Sequence, residues 1–81
     1  MSDFGLVVAA GVRAERARRR WHQKDLGRRM GWSVSMVSEL ETGKRRVQAD
    51  DLLCLCQAFG LTLRQLSEGA DGDDLELLGL K

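Results

Sequence analysis

Apolar residues recur along this chain at helical spacing, and the gaps between them carry residues that start and stop helices. Val8 and Val12 stand i, i+4, with Phe4 in line before them. They predict an inward stripe on a first helix running from Asp3 or Phe4 to about Arg20. Asp3 can cap it, while Gly5 and Gly11 each weaken it by about 1 kcal/mol, so its start is expected to fray. Trp21 then reads as a core anchor at the corner into the next element. Leu26 and Met30, again i, i+4, predict a second helix from about His22 to Met30. Gly31 can take the left-handed turn that ends it. Ser33 is placed to cap a third helix whose inner edge is Val37 and Leu40, stopped by Gly43. Gln48-Ala49-Asp50-Asp51 opens a fourth, with acids favourable to the helix dipole; Leu52, Leu55 and Phe59 form its buried edge and Gly60 ends it. Thr62-Leu63-Arg64-Gln65 is a capping-box pattern for a short fifth helix with Leu63 and Leu66 apolar. Ser67 to Asp74 is polar, with Gly69 and Gly72, and reads as a linker or frayed tail. Leu75-Glu76-Leu77-Leu78-Gly79-Leu80 is apolar again. It is too short to fold alone and is expected to dock on its own domain or on a partner. The pattern therefore predicts an all-α fold: five short helices around one core over residues 1–67, followed by a polar linker and leucine-rich tail over residues 68–81.

The second and third helices, joined across Gly31-Trp32-Ser33, form a helix, tight turn, helix unit. Around that unit the chain resembles the lambda-repressor/Cro-like helix-turn-helix family. The matching residues are Val12-Arg13, Arg16, Gln23, Leu26, Gly31, Ser33, Val37-Ser38, Leu40-Glu41, Gly43-Lys44, Leu52-Leu53, Leu55, Ala58-Phe59-Gly60-Leu61 and Leu66. None is diagnostic alone; the signal lies in their joint spacing, without a gap, over roughly two-thirds of the chain. The resemblance implies sequence-specific binding of double-stranded DNA, hence transcriptional regulation of repressor or controller type. It implies a third helix lying in the major groove, whose width admits one, and a homodimer on two half-sites about 34 Å apart. It further implies that Gln23 and a basic residue at Arg46 hold phosphates, and that Arg16 pairs with Glu41 to join the first helix to the third.

The chemistry of the side chains extends this picture. Val34, Ser35, Ser38 and Glu39 fall on the third helix's outer side and are the candidate base-reading residues. Valine can touch a thymine methyl, serine can donate or accept, and a carboxylate can accept from a cytosine amino group. This face lacks a side chain bidentate for guanine or adenine, which leaves room for shape readout. Ser33, Gln23, Lys44, Arg45 and Arg46 are candidate phosphate contacts, with His22 and Lys24 beside them. Leu63, Leu66, Leu75, Leu77, Leu78 and Leu80 are the candidate dimer or partner surface.

Charge changes the picture through its distribution. The 81 residues carry a formal net charge of only +1. Residues 11–46 hold eleven Lys/Arg against four Asp/Glu, net +7, whereas residues 47–81 hold two against seven, net −5. The basic segment coincides with the helix-turn-helix, which suggests a polyanion partner rather than a merely solvated face.

Other chemistries find no support. His22 is the only histidine, and Cys54 and Cys56 diverge by about 200° on a helix, wrong for a shared metal or a mutual disulfide. They read as small core residues. Without a nucleophile–base pair, a phosphate-binding glycine loop or paired carboxylates, no enzyme, cofactor, metal or small-molecule substrate is expected. Phe4 to Val12 is apolar but far short of the roughly 20 residues of a membrane span. It follows Asp3 rather than a basic start, so no signal peptide is expected and the protein is placed in the cytoplasm. An alternative stays open on the leucine tail: an antitoxin of a toxin–antitoxin pair, binding a protein partner as well as its own promoter.

Overall fold

Val8, Val12, Leu26, Met30, Val37, Leu40, Leu55, Phe59 and Leu66 converge into one buried cluster. The helices that bring them together are seen in a computed structural model, which describes residues 4–80. They are α1 (Phe4–Arg18), α2 (Gln23–Met30), α3 (Val34–Glu41), α4 (Ala49–Phe59), α5 (Leu63–Leu66) and α6 (Gly72–Leu77), with no strand among the described residues. The first five each contribute to the cluster, and burial of each large apolar side chain is worth about 1.5–3 kcal/mol. The all-α class holds; the helix count among the described residues is six rather than five.

Local chemistry sets the helix ends. Gly31 (φ 71°) and Gly60 (φ 67°) take the left-handed conformation after α2 and α4. Ser33 Oγ accepts from the Met36 N–H at 3.2 Å. Thr62 Oγ1 accepts from the Gln65 N–H at 3.2 Å, and Gln65 Oε1 accepts in return from the Thr62 N–H at 2.9 Å. The expected Asp3 cap lies outside the described residues. α1 stops at Arg18, two residues short of expectation, and Arg20 turns left-handed (φ 56°). Two contacts account for the early stop. Arg19 donates to the Phe59 carbonyl at 2.8 Å, and Trp21 turns back to stack on Phe59 with ring centroids 5.5 Å apart.

The C-terminal region differs from expectation in three ways. Ser67, expected in a polar linker, is fully buried, and its hydroxyl donates to the Leu63 carbonyl at 2.6 Å. A buried serine is tolerable because that bond satisfies it. Beyond it, Asp71 accepts from the Asp73 N–H at 2.9 Å and caps α6. Leu66, expected on a dimer or partner surface, is instead 2% exposed and belongs to the core. The reason is Gly11: a Cβ there would run into the Leu66 carbonyl, so only glycine lets α5 lie directly on α1.

Candidate nucleic-acid interface

The turn between α2 and α3 is built on two glycines. Gly31 supplies the left-handed reversal. At Gly27 an added Cβ would stand 2.6 Å from the Trp32 carbonyl oxygen, so the chain can fold back onto α2 only because Gly27 has no side chain. The Trp32 N–H closes the turn by donating to the Gly27 carbonyl at 2.8 Å.

α3 then divides cleanly. Val37, Leu40 and Glu41 are buried. Val34, Ser35 and Glu39 are exposed, Ser38 is half-buried, and the Ser38 carbonyl accepts from the Thr42 N–H at 2.9 Å. The Glu39 carboxylate makes no ion pair among the described residues.

Buried Glu41 fixes this helix against its neighbours. Its carboxylate accepts from Arg16 Nε at 2.7 Å, Arg16 Nη2 at 3.0 Å and Gln23 Nε2 at 3.1 Å. Arg13 donates to the Glu41 carbonyl, and Arg16 Nη1 donates to the Trp21 carbonyl at 2.9 Å. α1, α2 and α3 are thus tied at one carboxylate that is 3% exposed. Removing one partner of such a pair strands a buried charge and costs about 3–5 kcal/mol. The Arg16 guanidinium is held protonated more firmly than usual, first by its hydrogen bond to Glu41.

Around α3 the basic residues gather in two clefts. One, beside its start, is lined by Arg16, His22, Gln23, Lys24 and Val34. The other, beyond its end, is lined by Gly5, Leu6, Gly43, Lys44, Arg45, Arg46 and Val47. Gly43 (φ 78°) supplies the left-handed turn that leads from α3 into the second. Lys44 and Arg46 are exposed and make no ion pair among the described residues.

Three of the expected phosphate contacts are engaged within the fold. Ser33 Oγ is occupied as the α3 cap. Gln23 turns its amide nitrogen to Glu41, because a buried carboxylate draws the nearest donor. Arg45 is bound to Asp51 and lies over Trp32, a contact with no regular spacing to announce it. The capping pattern Gln48-x-x-Asp51, visible in the sequence, was the available signal for the buried carboxylate that receives Arg45.

His22 sits just before α2, where its N–H donates to Asp25 Oδ2 at 2.8 Å. That bond is the first reason the Asp25 carboxyl lies below its usual range, with Arg28 and Lys24 adding to it. Of the leucine surface, Leu75 and Leu80 are half-buried and line a groove with Thr62, Arg64, Gln65 and Glu68. Leu63 is half-buried, and Leu77 and Leu78 are 86% and 51% exposed. Both cysteines are free and half-buried, and burial pushes the Cys56 thiol upward. Among the described residues there is no group of three or more His, Cys, Asp or Glu fit for a metal. No helix there is long and apolar enough to cross a membrane.

A capped α3 with an unused outer face, held between two basic clefts, defines a DNA-binding helix-turn-helix fold of the regulator type. The chain belongs to the helix-turn-helix domain family, whose model matches residues 8–68. Among solved structures it is similar to the clp gene regulator ClgR from C. glutamicum, at 25% identity and a TM-score of 0.74, over 82% of this chain and 90% of that one. It is also similar to the restriction-modification controller protein C.AhdI from Aeromonas hydrophila, at 26% identity and a TM-score of 0.70, over 76% and 94%. A hypothetical transcription factor, NHTF, from Neisseria matches at 25% identity and a TM-score of 0.76, over 93% and 85%. No curated protein sequence matches the chain. The family and these neighbours are DNA-binding regulators rather than enzymes.

Proposed function

We propose that this protein is a sequence-specific transcriptional regulator of repressor or controller type. It works in the cytoplasm, binding double-stranded DNA as a homodimer with α3 in the major groove. The observation that carries this reading is the outer face of α3. Val34, Ser35 and Glu39 are exposed and the core makes no use of them, while basic clefts lie at both ends of the helix. Lys44, Arg46, His22 and Lys24 hold phosphates and set register; Val34, Ser35, Ser38 and Glu39 read base edges. The likeness to a restriction-modification controller and to a clp gene regulator supports the regulatory role.

Selection of bound fragments from a random DNA pool tests the reading. Two related half-sites about one helical turn apart are expected. Glu39→Ala should relax preference at one base position by about 1–3 kcal/mol. It should leave binding to random DNA equal or tighter, because a negative charge is removed. Equal weakening on both DNAs would show that α3 does not face the bases. The antitoxin reading draws on the exposed Leu77 and Leu78. It predicts a chain that is poorly soluble alone and is rescued by the product of a neighbouring gene.

A further inference from the structure

Arg45 is placed differently from the two basic residues beside it. Its backbone N–H donates to the Glu39 carbonyl at 3.0 Å, which folds the chain back along the end of α3. Its Nε and Nη2 lie 3.3 and 3.2 Å from the two oxygens of Asp51, a carboxylate that is 9% exposed. Asp51 is itself fixed, since its Oδ2 accepts from the Gln48 N–H at 3.0 Å in the first turn of α4. The central carbon of the guanidinium lies over the Trp32 ring, 4.7 Å from its centroid. Trp32 belongs to the turn that precedes α3. One side chain therefore joins the turn before α3, the loop after it and the start of α4.

We propose that Arg45 is a positioning residue that clamps α3 at the angle needed to read bases, and that it is not a phosphate contact. The proposal rests on α3 entering the groove as described above. α3 has only eight residues, so its orientation depends on how its two ends are held. Base-edge hydrogen bonds tolerate little displacement, whereas flexible lysine and arginine side chains follow a phosphate through small shifts. Loosening the clamp therefore erodes discrimination and spares non-specific binding. Lysine does not replace arginine here, because it lacks the planar fork that meets Asp51 while stacking on Trp32. A phosphate contact, by contrast, needs little more than the charge.

The test compares Arg45→Ala, Arg45→Lys, Asp51→Asn and Arg46→Ala in a Trp21→Phe background, where Trp32 alone emits. Without DNA, the two Arg45 variants and Asp51→Asn should shift the Trp32 emission, and Arg46→Ala should not. Binding is then measured on the selected operator and on random DNA across a range of salt. Arg46→Ala should flatten the plot of log affinity against log salt by about one unit on both DNAs. Arg45→Ala and Arg45→Lys should leave the random-DNA slope unchanged and lower the operator-to-random ratio about tenfold. A loss of folded protein would lower apparent affinity for both DNAs alike and leave that ratio intact. Arg45→Lys carries the comparison if the alanine variant melts too low. Unchanged Trp32 emission, a flattened slope for Arg45→Ala, or full recovery of the ratio by lysine would each overturn the proposal. If the parent protein prefers no selected DNA over random DNA, the groove reading falls. The emission result then decides the clamp by itself.

Discussion

Gly11 shows how one residue can carry opposite meanings before and after the fold is known. As a residue inside a helix it is a weakness of about 1 kcal/mol relative to alanine. In the structure it is the point where α5 crosses α1, with the Leu66 carbonyl where a methyl group would sit. Overpacking against backbone typically costs about 1–3 kcal/mol and cannot be relieved by a rotamer change. The clash should outweigh the gain in propensity. Gly11→Ala is therefore expected to lower the melting temperature, while Gly5→Ala, with open space around it, should raise it slightly. Thermal melts of both variants check the pair. A stabilised Gly11→Ala protein would mean that α5 does not pack on α1 as seen. Nothing in the spacing of apolar residues distinguishes these two glycines, because the difference lies in a tertiary contact with a segment about 55 positions away. Trp32 was equally mute in sequence. Its partner Arg45 follows at no regular interval, so only the packed turn reveals it.

At the level of single elements, the helices whose ends are marked by caps were the legible ones. α2, α3 and α4 fall close to where Leu26/Met30, Val37/Leu40 and Leu52/Leu55/Phe59 put them. α6 was missed because Asp71 and Gly72 read as linker chemistry, and a six-residue helix has too few apolar positions to show a period. Leu66 was visible as an apolar helix position, but the spacing of Leu63 and Leu66 does not say which side meets the core. The start of α2 makes a prediction about acid. Asp25 accepts from the His22 N–H, and its folded-state carboxyl is held below the ordinary value. A depressed carboxyl contributes stability that is fully present above the unfolded value of about 4. That contribution is lost as pH falls through the folded value. Glu15 lies below its usual range too. Burial, the largest single influence on it, pushes upward and is outweighed by the hydrogen bonds and charges of Arg18 and Arg19 together. Melting temperature should therefore be flat near neutrality and drop in acid. Asp25→Asn should start lower at neutral pH and lose less on acidification. An acid loss of full size in that variant would place the sensitive group elsewhere.

Across the whole molecule, the basic and acidic halves assign opposite salt responses to the two kinds of binding. On the proposed reading, contacts from Lys44 and Arg46 to phosphate would release counterions, so DNA affinity should fall as salt rises. The exposed Leu77 and Leu78 lie on and beside a helix that carries the exposed acids Asp73 and Glu76. A symmetric contact through those leucines, if the protein dimerises as proposed, would bring two acidic surfaces together, and salt would screen their repulsion. Self-association should accordingly tighten between about 0.05 M and 0.5 M salt, over the range where the Debye length shrinks several-fold. Sedimentation of the DNA-free protein at both concentrations measures it. A dimer that falls apart on adding salt would locate the contact away from α6. The division within α3 has a consequence for how such a protein changes over generations. Its inner residues, Val37, Leu40 and Glu41, hold the fold together, while Val34, Ser35 and Glu39 are left outside the core. Substitutions on the outer face are thus close to free for stability. On the proposed reading, the protein can drift toward new DNA sites one side chain at a time without passing through unfolded intermediates. A library varied at those three positions should stay folded throughout and differ in which DNA it binds and how tightly.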